Sequence, residues 1–560
     1  MKATSVQGSK REAINPQEDQ KKTNNVVAKL ATTAVARRMI PGKQCTLQVN
    51  PIRTIRNVAS GLTDVSHALR AASLDPVKGV YLRPLYDTRS LLETKKSELS
   101  AGDFSFLRGI ALHFASSDGY ATEVMLLREH GEKAQNTEFG GNSLLHYAAE
   151  SGQVKLVRFF LNKGAEKNAR NQNGETPLHQ AARNGHIRVV RLFLKEGANV
   201  NELNKFKATP LHLAAENNQV EMVRFLLNNQ AKVNARNQIG ETPLYRAACK
   251  GGIGVVRLLL ESGANVEEKT GSKLTPLHAA ARCQEDPKIA KLLIDRCANI
   301  EATDEHGLTP LHYAAESARG QIVRYLVRAG AEIDQADNNG LTALHHLANK
   351  GAREDIEFLI AKGAKVNKVD SFGRTPMHYA AGMSNVEAVR LLIEKGLDVN
   401  TVDKRGRTPL HHVAERRLPL RLEQSVVVAC KREIASLLIK KGAQVNQGDK
   451  DGLTSLHYAA QSGCWEIMDL LIRTGADVSA KDTIGSTPLH RAVGFGDLLG
   501  VELANIQLLI DNGADCKAVI HCGKHVGKTP IDFLAPSSPI GSIFEEKRAA
   551  IYEYLQGKMS

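Results

Sequence analysis

The stretch His521–Leu534, HCGKHVGKTPIDFL, carries the residue types of a phosphate-binding loop. Gly523, Gly527, Lys528 and Thr529 could cradle an anion on backbone N–H groups while the lysine and the hydroxyl hold phosphate and metal. The spacing opposes this. Such a loop needs four residues between its glycines, and Gly523 and Gly527 enclose only Lys524, His525 and Val526. Cys516, His521, Cys522 and His525 offer zinc-type ligands nearby, but their spacing fits no familiar zinc pattern and adjacent His521–Cys522 is an awkward pair. Eleven of the nineteen histidines fall in a single recurring slot, about 33 residues apart, too far to share one ligand. No Ser/His/Asp, Cys/His or paired-carboxylate arrangement stands out from this background. The chain is expected to be no enzyme and to hold no cofactor or metal.

That slot belongs to a tetrapeptide. TPLH stands at Thr176, Thr209, Thr275, Thr309, Thr408 and Thr487, with variants at Ile110, Ser143, Thr242, Thr342, Thr375 and Thr454. Nine of the eleven gaps between successive starts are 33, one is 34 and one is 46. A glycine, usually followed by alanine, keeps the same period 21 residues after each start, as at Gly131, Gly164, Gly197, Gly263, Gly330, Gly363, Gly396 and Gly475. In the unit beginning at Thr176, the threonine caps a helix whose first position is Pro177, where the missing N–H costs nothing. Leu178 and Ala181–Ala182 share one face and Gly185 ends the helix. A second helix follows, with Val189, Val190, Leu192 and Phe193–Leu194 as its stripe and Gly197 as its stop. A turn-rich hairpin, ANVNELNKFKA, leads to the next threonine. Such a pair cannot enclose its own apolar face and must stack on copies of itself. Gln230 and Cys297 replace the stop glycine in two units, where a small backbone strain is expected.

The 33-residue period, the T-P-L-H-x-A-A signature and the Gly-Ala punctuation over about residues 105–560 resemble the ankyrin repeat. The resemblance implies an all-α ankyrin-repeat solenoid of helix pairs plus hairpin loops, on the order of 100–130 Å long if each pair adds about 10 Å. It implies that Gly527–Pro530 opens a thirteenth, degenerate repeat, and that each slot histidine hydrogen-bonds a neighbouring turn. It also implies reversible protein binding through the hairpin tips and the exposed side of the first helices, the concave face. On this chain those positions include Phe139, Lys205, Phe206, Ile239, His306, Phe372, Lys404, Arg405, Arg407 and Ile484. The residue after the tetrapeptide adds Tyr147, Tyr313, Tyr379 and Tyr458, read either as contact residues or as packing between helices. Hairpin asparagines are hydroxylated in some members. The matching positions are Asn201, Asn234, Asn367, Asn400 and Asn446, of which Asn400 fits best, against a plain turn-forming role.

Composition sets the remaining bounds. Hydrophobic content of 42% and charged content of 24% describe a folded chain. The eight cysteines are scattered with no C-x-x-C pair, which reads as free thiols in a reducing compartment. The net charge of +14 is uneven, since residues 1–60 hold 11 basic and 3 acidic residues and contribute +8 of it. Residues 109–560 hold 56 basic and 51 acidic residues, so the repeat body is not expected to bind nucleic acid.

The division expected is a disordered basic arm at 1–60, a helical capping region at 61–108, repeats at 109–528, and a degenerate repeat with a C-terminal cap at 529–560. Insertions fall near 417–430 and 494–526. No span crosses a membrane and no signal-peptide core is seen, which points to a cytoplasmic chain, with the nucleus as the alternative because Lys10–Arg11 and Lys21–Lys22 resemble a two-part import signal. The function expected is a monomeric scaffold or adaptor for protein partners. The alternatives are a targeting or regulatory subunit of an enzyme complex and a secreted effector or toxin.

Overall fold

A computed structural model describes residues 141–415, 424–494, 503–534 and 542–559. The basic arm, the capping region, the unit starting at Ile110 and Phe139 lie outside the described residues. The chain forms two compact units, divided between Lys232 and Val233. The division falls in a hairpin between two repeats.

Among the described residues every element is helical. The described residues of the first unit form three helix pairs: Leu144–Glu150 with Val154–Asn162, Pro177–Arg183 with Ile187–Lys195, and Pro210–Glu216 with Val220–Asn228. The second continues from Pro243–Lys250 with Ile253–Glu261 to Pro488–Gly494 with Leu503–Asp511, and ends on a 3-10 turn, Pro530–Leu534, and the helix Ser542–Met559.

The signature residues explain why each pair forms. Thr176 is extended (φ −91°, ψ 166°) and Pro177 occupies the first helical position. Leu178, Ala181 and Ala182 are then fully or nearly fully buried. In the second helix Val189, Val190 and Phe193 are buried completely. Leu192 and Leu194 are only half-buried, because a nine-residue helix turns just one narrow stripe into the stack. The alanines let successive first helices approach closely.

The stop glycines take positive φ, as at Gly197 (+77°) and Gly330 (+101°), and a Cβ at Gly330 would meet nothing within 4 Å. Gln230 and Cys297 hold the same left-handed conformation, with φ of +65° and +63°, so two non-glycine residues carry strain that their counterparts avoid. Gln230→Gly and Cys297→Gly should each raise stability by about 1 kcal/mol, measured as a shift of the urea midpoint. A loss of stability in both would contradict the assignment of strain.

The 46-residue gap resolves differently from a plain loop. The first helix of that unit is Pro409–Ala414, and the second, Gln424–Lys440, has 17 residues where its counterparts have about nine. Much of the insertion is therefore extra helix, anchored by buried Val427 and by Lys431, whose Nζ donates to the Glu415 carbonyl at 2.5 Å. Where a thirteenth repeat is expected to open, the chain forms only the 3-10 turn Pro530–Leu534 in place of a first helix. The final helix buries Ile551 and Leu555.

Candidate functional site

Nine of the described hairpins are built from one residue five positions before the repeat threonine, the hairpin before Thr275 using the Thr270 hydroxyl instead. In the nine this residue is Asn171, Asn204, Asn237, Asp304, Asp337, Asp370, Asp403, Asp449 or Asp482. Its Oδ1 accepts the backbone N–H groups two and four residues on, at 2.7 to 3.1 Å. The two residues at the tip are pushed outward by that turn.

Neighbouring tips are then stitched together. Ser371 N–H donates to Asn339 C=O at 2.7 Å, Lys404 to Phe372 at 2.8 Å, Lys450 to Arg405 at 2.8 Å and Thr483 to Asp451 at 2.9 Å. In the first unit Lys205 N–H donates to Asn173 C=O at 2.9 Å. The approach is tight enough to demand glycine behind the tip. At Gly373 (φ +76°) a Cβ would stand 2.8 Å from the Lys404 nitrogen.

The tip side chains are left over by all of this bonding. Phe206, Ile239 and Phe372 are 55%, 60% and 58% exposed, and Lys205, His306, Lys404 and Arg405 are exposed too. Ile484 is half-buried, and its carbonyl accepts the His521 N–H at 2.9 Å. Arg374 ties one tip to the helix behind it. Its guanidinium lies 4.8 Å from the Phe372 ring centroid and 4.6 Å from that of Tyr379, and its Nη2 pairs with Asp370 at 2.7 Å. Exposed Leu203, Val369 and Val402, each 27 residues after its repeat threonine, extend the apolar hairpin surface and were missed in the sequence. Their common register was the available signal.

The tyrosines face the other way. The phenols of Tyr313, Tyr379 and Tyr458 donate to Asp304, Asp370 and Asp449 at 2.9, 2.7 and 2.7 Å. Burial, then the hydrogen bond to the carboxylate, raises the Tyr313 and Tyr458 pKa values well above that of a free phenol. Tyr147 is buried, and burial raises its pKa to about 12. Arg407 is buried likewise, with its Nη2 2.9 Å from Asp403. His412 takes the tyrosine position beside that aspartate, its Nε2 3.2 Å from the same oxygen.

His346 stands in the same position and is half-buried, but its enclosed Nε2 has no hydrogen-bond partner. Burial, then neighbouring His312 and His345, lowers its pKa to about 3. His346→Tyr would place a phenol where its counterparts reach the aspartate nine residues back, here Asp337. A gain of about 1 kcal/mol in urea unfolding is expected, abolished when Asp337 is also changed to Ala.

The slot histidines act as inter-repeat connectors. The Nδ1 of His378 accepts from Thr375, 3.1 Å from its N–H and 2.9 Å from its hydroxyl, so the proton sits on Nε2 and is donated to the Arg407 carbonyl at 3.0 Å. His146, His179, His278, His312, His345, His411, His457 and His490 repeat this arrangement onto the carbonyl before the next repeat threonine. Several rings also meet the following repeat's aromatic edge-on, as His345 does Tyr379 at 5.7 Å.

Asn400 bridges repeats as well, donating to Gly442 C=O at 3.0 Å and accepting from Gln444 N–H at 2.9 Å. Asn201, Asn234 and Asn446 make the same two bonds, while Asn367 is exposed. At Gly527–Pro530 the Thr529 N–H and hydroxyl both donate to Asp532, at 2.7 Å, and Lys528 Nζ lies 5.5 Å over the Phe533 ring. The backbone and hydroxyl donors of Thr529 are thus committed to a carboxylate three residues on.

The family model described as Ankyrin repeats (3 copies) matches residues 101–171, 164–237, 234–304, 277–370, 344–420 and 426–520. The chain belongs to the ankyrin-repeat family. Ankyrin repeats are in general protein–protein interaction modules, typically without catalysis of their own. No curated protein matches the chain. Among solved structures, it is similar to the human ASB11 ankyrin repeat domain, at 30% identity and a TM-score of 0.36, covering 39% of this chain and 98% of that one. No described helix is long and apolar enough to cross a membrane.

Proposed function

We propose that this protein is a non-enzymatic scaffold or adaptor that holds partner proteins on its hairpin tips and the adjoining side of its first helices. The observation that carries this is the contrast between groups of side chains within one repeat. Tyrosine, histidine and aspartate are committed to holding the hairpin, whereas Phe206, Ile239, Phe372, Lys404 and Arg405 stand on a bonded backbone with their side chains exposed. Rigid aromatic and cationic groups on a preorganised frame are what a binding hot spot needs, because little side-chain entropy is lost on docking. Phe372 beside Arg374, followed by Lys404 and Arg405 on the next tip, suits a partner offering an apolar side chain flanked by carboxylates.

The test is affinity capture with the full chain, residues 61–560, and the full chain carrying Phe206→Ala, Ile239→Ala and Phe372→Ala, with circular dichroism confirming equal helicity. A partner held by the first two and lost with the third supports the tips. Retention by the triple variant together with loss on truncation would move recognition to the N-terminal arm and overturn the proposal.

A further inference from the structure

The cysteines looked scattered in the sequence, yet the stack brings two of them into contact. Cys249 follows Thr242 by seven residues and Cys283 follows Thr275 by eight, so they stand near the ends of successive first helices, Pro243–Lys250 and Pro276–Cys283. Their Sγ atoms are 2.7 Å apart, inside ordinary contact for two sulfurs, and both residues are half-exposed. A disulfide needs about 2.05 Å, so closing the bond requires less than 1 Å of movement.

The surroundings favour reaction. The Cys249 thiol hydrogen-bonds Cys283, and this contact above all, opposed by burial and helped by Arg282, Arg319 and Lys250, holds the Cys283 thiol below its ordinary value. The same contact with Cys283, then burial and, least of all, Glu241 push the Cys249 thiol up instead, and Arg319 is shared with Glu285 at 2.7 Å. The backbone is adapted as well. Where Gly251 and Gly351 close their helices in the left-handed region, the residue after Cys283, Gln284, is extended (φ −105°, ψ 157°). Its Nε2 donates to the carbonyls of Ala248 and Cys249 at 3.2 and 2.6 Å, clamping the two helix ends together.

We propose that Cys249 and Cys283 form a reversible dithiol–disulfide site, oxidised by hydroperoxides, that locks two neighbouring repeats. The Cys283 thiolate attacks the terminal oxygen of the hydroperoxide. The O–O bond breaks, the alkoxide or hydroxide leaves and takes up a proton, and Cys283 becomes a sulfenic acid. Cys249 sulfur then attacks Cys283 sulfur. The S–S bond forms, the S–O bond breaks, and hydroxide leaves as water with the Cys249 proton. Two thiols and one hydroperoxide thus give one disulfide, one alcohol or water, and one water. A low-molecular-weight thiol reverses it by exchange. The disulfide ties the far ends of two first helices whose near ends are already joined at the tips, where Gly271 N–H donates to Ile239 C=O at 2.8 Å. Oxidation therefore fixes the spacing of two adjacent tips.

The test treats the reduced full chain with stoichiometric hydrogen peroxide, followed by thiol counting and peptide mapping. The expected product is one intramolecular Cys249–Cys283 cross-link that loses two hydrogen atoms in mass and reopens with dithiothreitol. It should form about tenfold faster or more than any oxidation at exposed Cys297 or Cys522, as the lowered thiol pKa requires. Cys249→Ser should leave a sulfenic acid at Cys283 that dimedone traps. Cross-linking to other cysteines, oxidation no faster than at Cys297 and Cys522, a product that does not reopen, or no trappable sulfenic acid in Cys249→Ser would each overturn the proposal.

Discussion

Replacing Asp403 by alanine should cost about 3–5 kcal/mol, the effect of removing one partner from a buried charged cluster. The side chains of Asp403 and His412 are each 1% exposed and that of Arg407 is 11% exposed. Asp403 Oδ1 closes the hairpin on the N–H groups of Arg405 and Arg407, at 2.9 and 3.0 Å. Oδ2 accepts Arg407 Nε at 3.0 Å and His412 Nε2 at 3.2 Å. Burial alone would raise the Asp403 pKa, but the bonds from His412 and Arg407 and the Arg407 charge outweigh it and hold the carboxyl well below the usual range. Without the carboxylate, a guanidinium and an imidazole are left facing each other with little water. Glu415, 3.6 Å from Arg407, relieves only part of this.

Asp403→Asn separates the two roles. Asparagine closes the same turn at Asn171, Asn204 and Asn237, so this variant keeps the hairpin and loses only the charge, at about 1–2 kcal/mol. Urea midpoints in the order wild type, Asn, Ala are expected. Losses below about 1 kcal/mol in both variants would show that the cluster contributes little, as exposed ion pairs do.

Arg407 also shows where sequence reading stops. The sequence places it with Lys404 and Arg405 as a tip charge, and nothing in the run KRGR distinguishes the three. The turn does, because it leaves Lys404 and Arg405 outside and folds Arg407 back over the residue four before it. Positions fixed by periodicity were legible, including the threonine caps, the histidine connectors and the strained Gln230 and Cys297. Each depends only on an offset within one unit. The Cys249–Cys283 contact was half-legible, since a separation of 34 in a 33-residue repeat places two side chains on adjacent units. Their convergence also needs the extended Gln284 and the close first helices, which offsets do not encode. The insertion after Thr408 was found by counting, but its conversion into helix was not, because that depends on what Val427 and Lys431 find to pack against.

The same histidine that made the repeat readable should make the protein acid-labile well above the range where carboxylates titrate. Burial, only partly offset by the carbonyl each ring donates to, lowers the pKa of His179, His278, His345 and His457 from 6.5 to about 4. Burial together with His412 lowers that of His378 to about 3. His146, His312, His411 and His490 shift in the same direction. The unfolded chain therefore binds more protons than the folded one between these limits. Stability is fully present above pH 6.5 and is lost as pH falls from there toward 4. At pH 5 each histidine with a folded value near 4 should cost about 2 kcal/mol relative to pH 7.5. A stack feels these costs at successive repeat interfaces, because the ring that would be protonated is the one bonding to the next repeat. Urea unfolding followed by circular dichroism from pH 7.5 to 4.5 should show a flat region above pH 7 and a steep fall below 6.5. Asp370 and Asp403 behave with the opposite sign of shift. Their folded values are depressed, so their contribution persists until pH falls below about 4, the ordinary carboxylate range. The two windows do not overlap. Stability unchanged down to pH 4.5 and lost only below it would assign acid unfolding to the carboxylates and show that the histidines can be charged in place.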